Sequence, residues 1–197
     1  MQKLALECHE RQPVLVLDPK GRWELPPFAE VWAGPDESPP DGSYIVYRPR
    51  FGANIPGDAD KIGKMVFEMG DTCVIIDEVF PLLGADTVQG PPGLKWLYTM
   101  GRGKNITMIA GVQRPASIPV YFVSECEQAY VFNLRNPDDR KRLAGYFGEE
   151  HKGETLSPAH RELIAAEMGP EPENLKYWFR YSTDAEGCYP HPQRLKL

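Results

Sequence analysis

Apolar residues in this chain come mainly in short unbroken runs, and those runs set the expected elements. Val14 to Leu17, Tyr44 to Tyr47 and Cys73 to Ile76 are apolar stretches of strand length, each followed by polar or turn-forming residues. Ile106 to Val112 and Ala129 to Phe132 continue the series, and Lys176 to Tyr181 supplies a last strand. Between them the spacing turns helical: Ile62, Met65, Val66 and Met69 lie on one face of a helix over Asp60 to Met69. Leu94 to Met100, Pro137 to Phe147 and Pro158 to Met168 are further helices, the first of them ending at Gly101. Gln2 to Arg11 forms an amphipathic helix with Leu4, Ala5 and Cys8 on one side, and it opens without a capping residue. Strands that are apolar throughout must be covered on both faces, as in a parallel sheet packed between helices, where polar function collects at the carboxyl ends of the strands. The expected class is α/β with a mainly parallel sheet.

Composition changes this picture in few places. Many of the 20 prolines fall between Pro13 and Pro56, where they exclude long helices, so that region reads as connections. With 42% hydrophobic and 25% charged residues the chain resembles ordinary globular proteins. No apolar run approaches the roughly 18 residues that cross a bilayer, and the start lacks the order of a signal peptide, so the cytoplasm is the expected compartment. Cys8, Cys73, Cys126 and Cys188 form no CxxC pair and the histidines no HxxxH or HExxH arrangement, which suggests neither a zinc site nor a disulfide framework. A net charge of -6 argues against coating nucleic acid by bulk attraction, and any such contact must be local.

Candidate chemistry lies at the predicted strand ends. CVIIDE, Cys73 to Glu78, delivers two adjacent carboxylates to a sheet edge. Phosphoryl transfer from ATP needs one carboxylate near Mg²⁺ and one group that orients or deprotonates the attacking water, tasks that suit Asp77 and Glu78 respectively. A strand ending in acidic residues at a solvated turn is the plain structural alternative. TMIAGVQRP, Thr107 to Pro115, brings Gln113 and Arg114 to the same edge, and an uncharged amide can bond water or phosphate without altering the charge balance. Gly101-Arg102-Gly103-Lys104 lies between the two motifs; it is either a presented cation or a basic helix C-terminus favourable to the dipole. Asp18-Pro19-Lys20-Gly21 closes the first strand as a turn.

Taken in order, DPKG, VIIDE, GRGKN and QRP resemble the FtsK/HerA-like P-loop ATPases over roughly residues 1 to 150. That resemblance implies a RecA-like (ASCE) three-layer sandwich with ATP and Mg²⁺ as cofactors. It makes VIIDE a Walker B motif, with Asp77 as the Mg²⁺ residue acting through water and Glu78 as the catalytic carboxylate. Gln113 becomes the sensor of the γ-phosphate or its water, binding nucleotide as well as serving catalysis. Arg102 becomes an arginine finger reaching a neighbouring subunit, with Arg114 and Arg135 as competitors for that role. A homo-oligomeric ring acting on double-stranded DNA follows, with phage-type DNA packaging as the task and a capsid or portal protein as a possible partner. Such a protein sits in the host cytoplasm or with the virion. The segment Arg48 to Lys64 would offer Arg48, Arg50, Lys61 and Lys64 to a DNA pore.

A P-loop, GxxxxGK[ST], is not in this sequence: Gly57 to Met65 has the wrong spacing and no hydroxyl, and Gly101 to Asn105 fails likewise. With few residues before Asp18, the chain enters inside the P-loop helix, and the first strand and the Walker A loop are absent from it. The expected layout is an N-terminally incomplete ATPase core over 1–150 and a helix-plus-strand extension over 151–197. ATPase activity then depends on a P-loop supplied from elsewhere. The alternatives are a non-catalytic P-loop remnant in an assembly, a conjugative or filamentous-phage export ATPase, and an unrelated doubly wound nucleotide-binding domain.

Overall fold

The structure, a computed structural model, describes residues 1–132, 134, 136–146, 177–182 and 189–194. Two compact units divide the chain, Met1–Tyr121 and Phe122–Leu197. The first opens with α1 (Gln2–His9), followed by β1 (Val14–Leu17), β2 (Glu30–Trp32), β3 (Tyr44–Tyr47), α2 (Ile55–Met69), β4 (Cys73–Ile76), α3 (Phe80–Leu83), α4 (Pro92–Met100) and β5 (Thr107–Ala110). Its sheet has the order β2-β3-β1-β4-β5, and every pair is parallel. The expected α/β class with a mainly parallel sheet is borne out.

Burial follows the sequence pattern. All of β1 and β4 is buried, because both strands are interior and covered on two sides. Side chains alternate along a strand, and one set, Val14, Val16, Tyr44, Val46, Cys73 and Ile75, packs with Ala5 and Cys8 of α1. The other set includes Tyr47, whose hydroxyl donates to Asp58 Oδ2 of α2 at 2.8 Å. Thus α1 covers one face, and α2 with α4 covers the other.

The two covering helices meet through glycines. A Cβ on Gly63 would lie 2.4 Å from the Gly93 carbonyl carbon, and one on Gly93 would lie 2.1 Å from the Asp60 carbonyl oxygen. Asp60 also caps the neighbouring helix, accepting from Gly93 N at 2.7 Å and from Lys64 Nζ at 2.7 Å. Helix α2 starts five residues earlier than its periodicity predicts, at Ile55 rather than Asp60. Asn54 caps it by accepting from Gly57 N at 3.2 Å, and Pro56 sits in the first turn, where its missing N–H costs nothing.

Three differences from the expected elements stand out. Strand β2 lies inside the proline-rich region read as connections, and it is only three residues long. Strand β5 is Thr107–Ala110, shorter than Ile106 to Val112, because the chain leaves the sheet at Gly111. Beyond α5 (Tyr121–Ser124), strand β6 (Gln128–Phe132) does not extend the parallel sheet; it pairs antiparallel with β7 (Tyr177–Ser182), which pairs antiparallel with β8 (Tyr189–Arg194). Helix α6 (Pro137–Tyr146) matches its prediction to within a residue. The helix expected over Pro158 to Met168 lies outside the described residues, as does Arg135. Among the described residues no helix is long and apolar enough to cross a membrane.

Candidate functional site

The parallel ladder runs one step past the strands and sets the carboxyl edge in register. Asp18 N donates to Tyr47 O at 3.0 Å, Asp77 N to Leu17 O at 3.1 Å, and Gly111 N to Ile76 O at 2.8 Å. Asp18, Asp77 and Gly111 therefore stand side by side at the ends of β1, β4 and β5. Next in the chain come Glu78 and Val112, and then Gln113.

Asp18 is fully buried and organises the turn that follows it. Its carboxylate accepts from Arg22 N at 2.9 Å, Trp23 N at 3.0 Å and Arg48 Nε at 2.8 Å. Arg48 also donates to the Trp23 carbonyl, and Trp23 Nε1 donates to the Tyr44 hydroxyl at 3.1 Å. One acidic side chain thus holds the Asp-Pro-Lys-Gly turn closed and ties it to the end of β3. Gly21, at φ 65°, makes the turn possible, its N–H donating to Asp18 O at 3.2 Å.

Glu78 is 4% exposed, and its Oε2 accepts no hydrogen bond among the described residues. Lys20 Nζ stands 3.6 Å from that oxygen. Asp77 is half-buried, and burial together with the neighbouring Asp18 charge raises its carboxyl above the ordinary value, against the pull of Lys20 and Arg22. It opens onto a cleft of about 420 Å³ lined by Met1, Gln2, Lys3, Arg22 and Trp23. Lys3 and Arg22 give the cleft a positive rim.

Gly111 couples the two motifs of the edge. Its carbonyl accepts from Val79 N at 3.1 Å, and a Cβ there would fall 2.2 Å from the Asp77 carbonyl oxygen. Only glycine lets the strand exit pass so close to the carboxylate pair. Gln113 follows on the same edge and is exposed. Arg102 lies elsewhere: its 3-10 turn, Gly101–Lys104, precedes β5 and packs on the start of β4, where Asp71 N donates to Lys104 O at 2.9 Å. The sheet brings Asp77, Glu78 and Gln113 to one edge and leaves Arg102 at the opposite one, about 20 Å away over the six residues from Asp71 to Asp77 at roughly 3.3 Å each.

The basic segment does not form an open cationic surface. Arg48 pairs with Asp18, Arg50 with Glu37, Lys61 with Asp36 and Lys64 with Asp60. Sequence reasoning gave Asp18 and Lys20 no site role; the available signal was an acid directly after a buried apolar run, followed by Pro-Lys-Gly.

The residues fit Mg²⁺ better than they fit a whole nucleotide. A Mg²⁺ ion takes hard oxygen donors and keeps several waters, so one carboxylate at a cleft mouth suffices when phosphates supply the rest. Asp77 offers that donor, and among the described residues no group of three or more His, Cys, Asp or Glu side chains forms a protein cage. For phosphate, Lys3 and Arg22 contribute charge, but the backbone cradle of a P-loop is not in this sequence.

Known proteins share the fold described above. No family model matches the chain. The DNA packaging ATPase P9 of Enterobacteria phage PRD1 is 32% identical over 81 residues, which are 41% of this chain and 34% of P9. The chain thus matches about a third of the length of that relative. Among solved structures, the genome packaging NTPase B204 of Sulfolobus turreted icosahedral virus 2 with AMPPCP superposes at a TM-score of 0.62, covering 97% of this chain and 85% of that one at 13% identity. Its AMP complex gives 0.60 at 15% identity, covering 93% and 83%. The DNA-packaging ATPase B204 of Sulfolobus turreted icosahedral virus gives 0.58 at 14%, covering 97% and 85%. The chain has the fold of a viral genome-packaging NTPase.

Proposed function

We propose that this chain is the catalytic and sensing part of an ATP-driven DNA-packaging motor of phage type. The observation that carries this reading is the buried carboxylate Glu78 beside Asp77 at the carboxyl edge of a parallel sheet, in a chain related to the packaging ATPase P9. Asp77 would hold Mg²⁺ through water, Glu78 would orient and deprotonate the attacking water, and Gln113 would report on the γ-phosphate. Bound nucleotide supplies the phosphoryl group, and this chain contributes the carboxylates and the amide around it. Arg102, at the far edge, suits an arginine finger that serves a neighbouring subunit's site in a ring. The phosphate cradle would come from a P-loop segment outside these 197 residues. Duplex DNA and a capsid or portal protein are the partners this reading implies. An FtsK/HerA-type assignment follows from the same order of motifs.

A second reading has its own observation. With no GxxxxGK[ST] in the sequence, the chain could serve as a non-catalytic assembly component. Mg-ATP hydrolysis with and without DNA separates the two, measured on this chain, on a longer form that carries a P-loop, and on Glu78→Gln in each. Hydrolysis by the longer form that Glu78→Gln abolishes while nucleotide still binds supports the motor. Absence of nucleotide binding and hydrolysis in both forms supports the assembly role.

A further inference from the structure

The Asp-Pro-Lys-Gly turn is tightly built for a simple connection. Asp18 fixes its main chain with two backbone N–H bonds and anchors it to Arg48, which leaves Lys20 projecting from the end of β1 toward the end of β4. There its ammonium stands 3.6 Å from Glu78 Oε2. A carboxylate as buried as Glu78 carries a heavy desolvation cost unless a cation offsets it, and among the described residues Lys20 is the cation within ion-pair reach of it. The separation exceeds the 2.7 to 2.9 Å or so of a charge-assisted hydrogen bond. Attraction therefore holds the carboxylate without a hydrogen bond to Oε2, a solvent-shielded atom that accepts none among the described residues.

We propose that Lys20 is the positioning residue for Glu78, a tether that fixes the carboxylate at the sheet edge. The inference rests on the motor reading above, in which Glu78 acts on the attacking water. Lys20 touches neither nucleotide nor water in this role; it acts through Glu78.

The test uses the P-loop-bearing form on which the motor reading rests, with Lys20→Met, Lys20→Arg, Glu78→Gln and the double variant Lys20→Met/Glu78→Gln. Loss of a residue that orients a catalytic group costs on the order of 10 to 100-fold in activity. Lys20→Met should lower kcat for ATP by that factor with KM within about twofold, Lys20→Arg should restore most of it, and the double variant should be no slower than Glu78→Gln alone. A purely structural lysine would alter the urea midpoint without separating kcat from KM. Unchanged kcat in Lys20→Met, with Glu78→Gln inactive, overturns the inference and leaves the motor reading standing. Losses that multiply in the double variant also overturn it, since Lys20 would then act independently of Glu78. If the unmodified protein hydrolyses no ATP, the motor reading falls and takes the inference with it. Should Lys20→Met fold poorly, Lys20→Gln with an unchanged KM replaces it under the same criteria.

Discussion

Gly111 shows how little room the carboxyl edge leaves. An added methyl there would sit 2.2 Å from the Asp77 carbonyl oxygen, a backbone atom that cannot swing aside as a side chain could. Gly111→Ala should therefore cost about 1 to 3 kcal/mol, the range for forced overpacking; a urea-unfolding midpoint equal to that of the parent would contradict the close approach. Asp77 makes a different prediction. Its folded pKa is raised, so the fold prefers the protonated acid. Stability should be highest below the ordinary carboxylate range, fall as pH rises through the folded value, and stay level beyond it. Asp77→Asn should then be more stable than the parent near neutral pH, with the gap closing in acid, as followed by thermal melts across pH. The carboxylate pair and Gln113 are readable from CVIIDE and VQRP because both sit where an apolar run stops. Lys20 beside Glu78 and Arg48 on Asp18 are not readable, because those partners are far apart in sequence and only the register of β1, β3 and β4 joins them.

Elements in this fold are fastened to one another by single polar residues. Removing Asp18 would release the turn after β1 and leave Arg48 uncompensated, so Asp18→Ala should cost roughly 3 kcal/mol or more. By contrast, Lys61 and Asp36 pair across an exposed surface, and Lys61→Met should leave the denaturation midpoint unchanged. Both are read from the same urea curves. Gly93→Ala tests the helix crossing, where the methyl would meet the Asp60 carbonyl at 2.1 Å; a destabilisation larger than that of an exposed Gly→Ala control such as Gly103 confirms the contact, and equality refutes it. The strands β1, β3 and β4 are legible because each is a continuous apolar run, the signature of two-sided burial. Strand β2 is not, since a three-residue edge with Val31 half-exposed leaves no run to detect. The antiparallel pairing of β6 with β7 and β8 escapes for another reason: local pattern marks a strand but does not say which partner it takes, and β8, YPHPQR, carries two prolines that mask it.

At the scale of the whole molecule, the placement of Arg102 at the edge opposite Glu78 makes a ring testable by mixing. On the motor reading, Arg102→Ala and Glu78→Gln in the P-loop-bearing form should each be inactive alone, whereas mixtures should regain ATP hydrolysis at interfaces where one subunit supplies Glu78 and its neighbour Arg102. Mixtures as inactive as the separate variants would exclude an arginine finger acting between subunits. The sheet order also governs how the molecule comes into being. Strand β1 lies between β3 and β4, both made after it, with Val14 opposite Tyr44 and Cys73. During translation at about 5 to 20 residues per second, the Val-Leu-Val-Leu segment waits on the order of seconds for its first neighbour and longer for its second. For that interval it is an apolar strand without its partners, a natural substrate for nascent-chain chaperones.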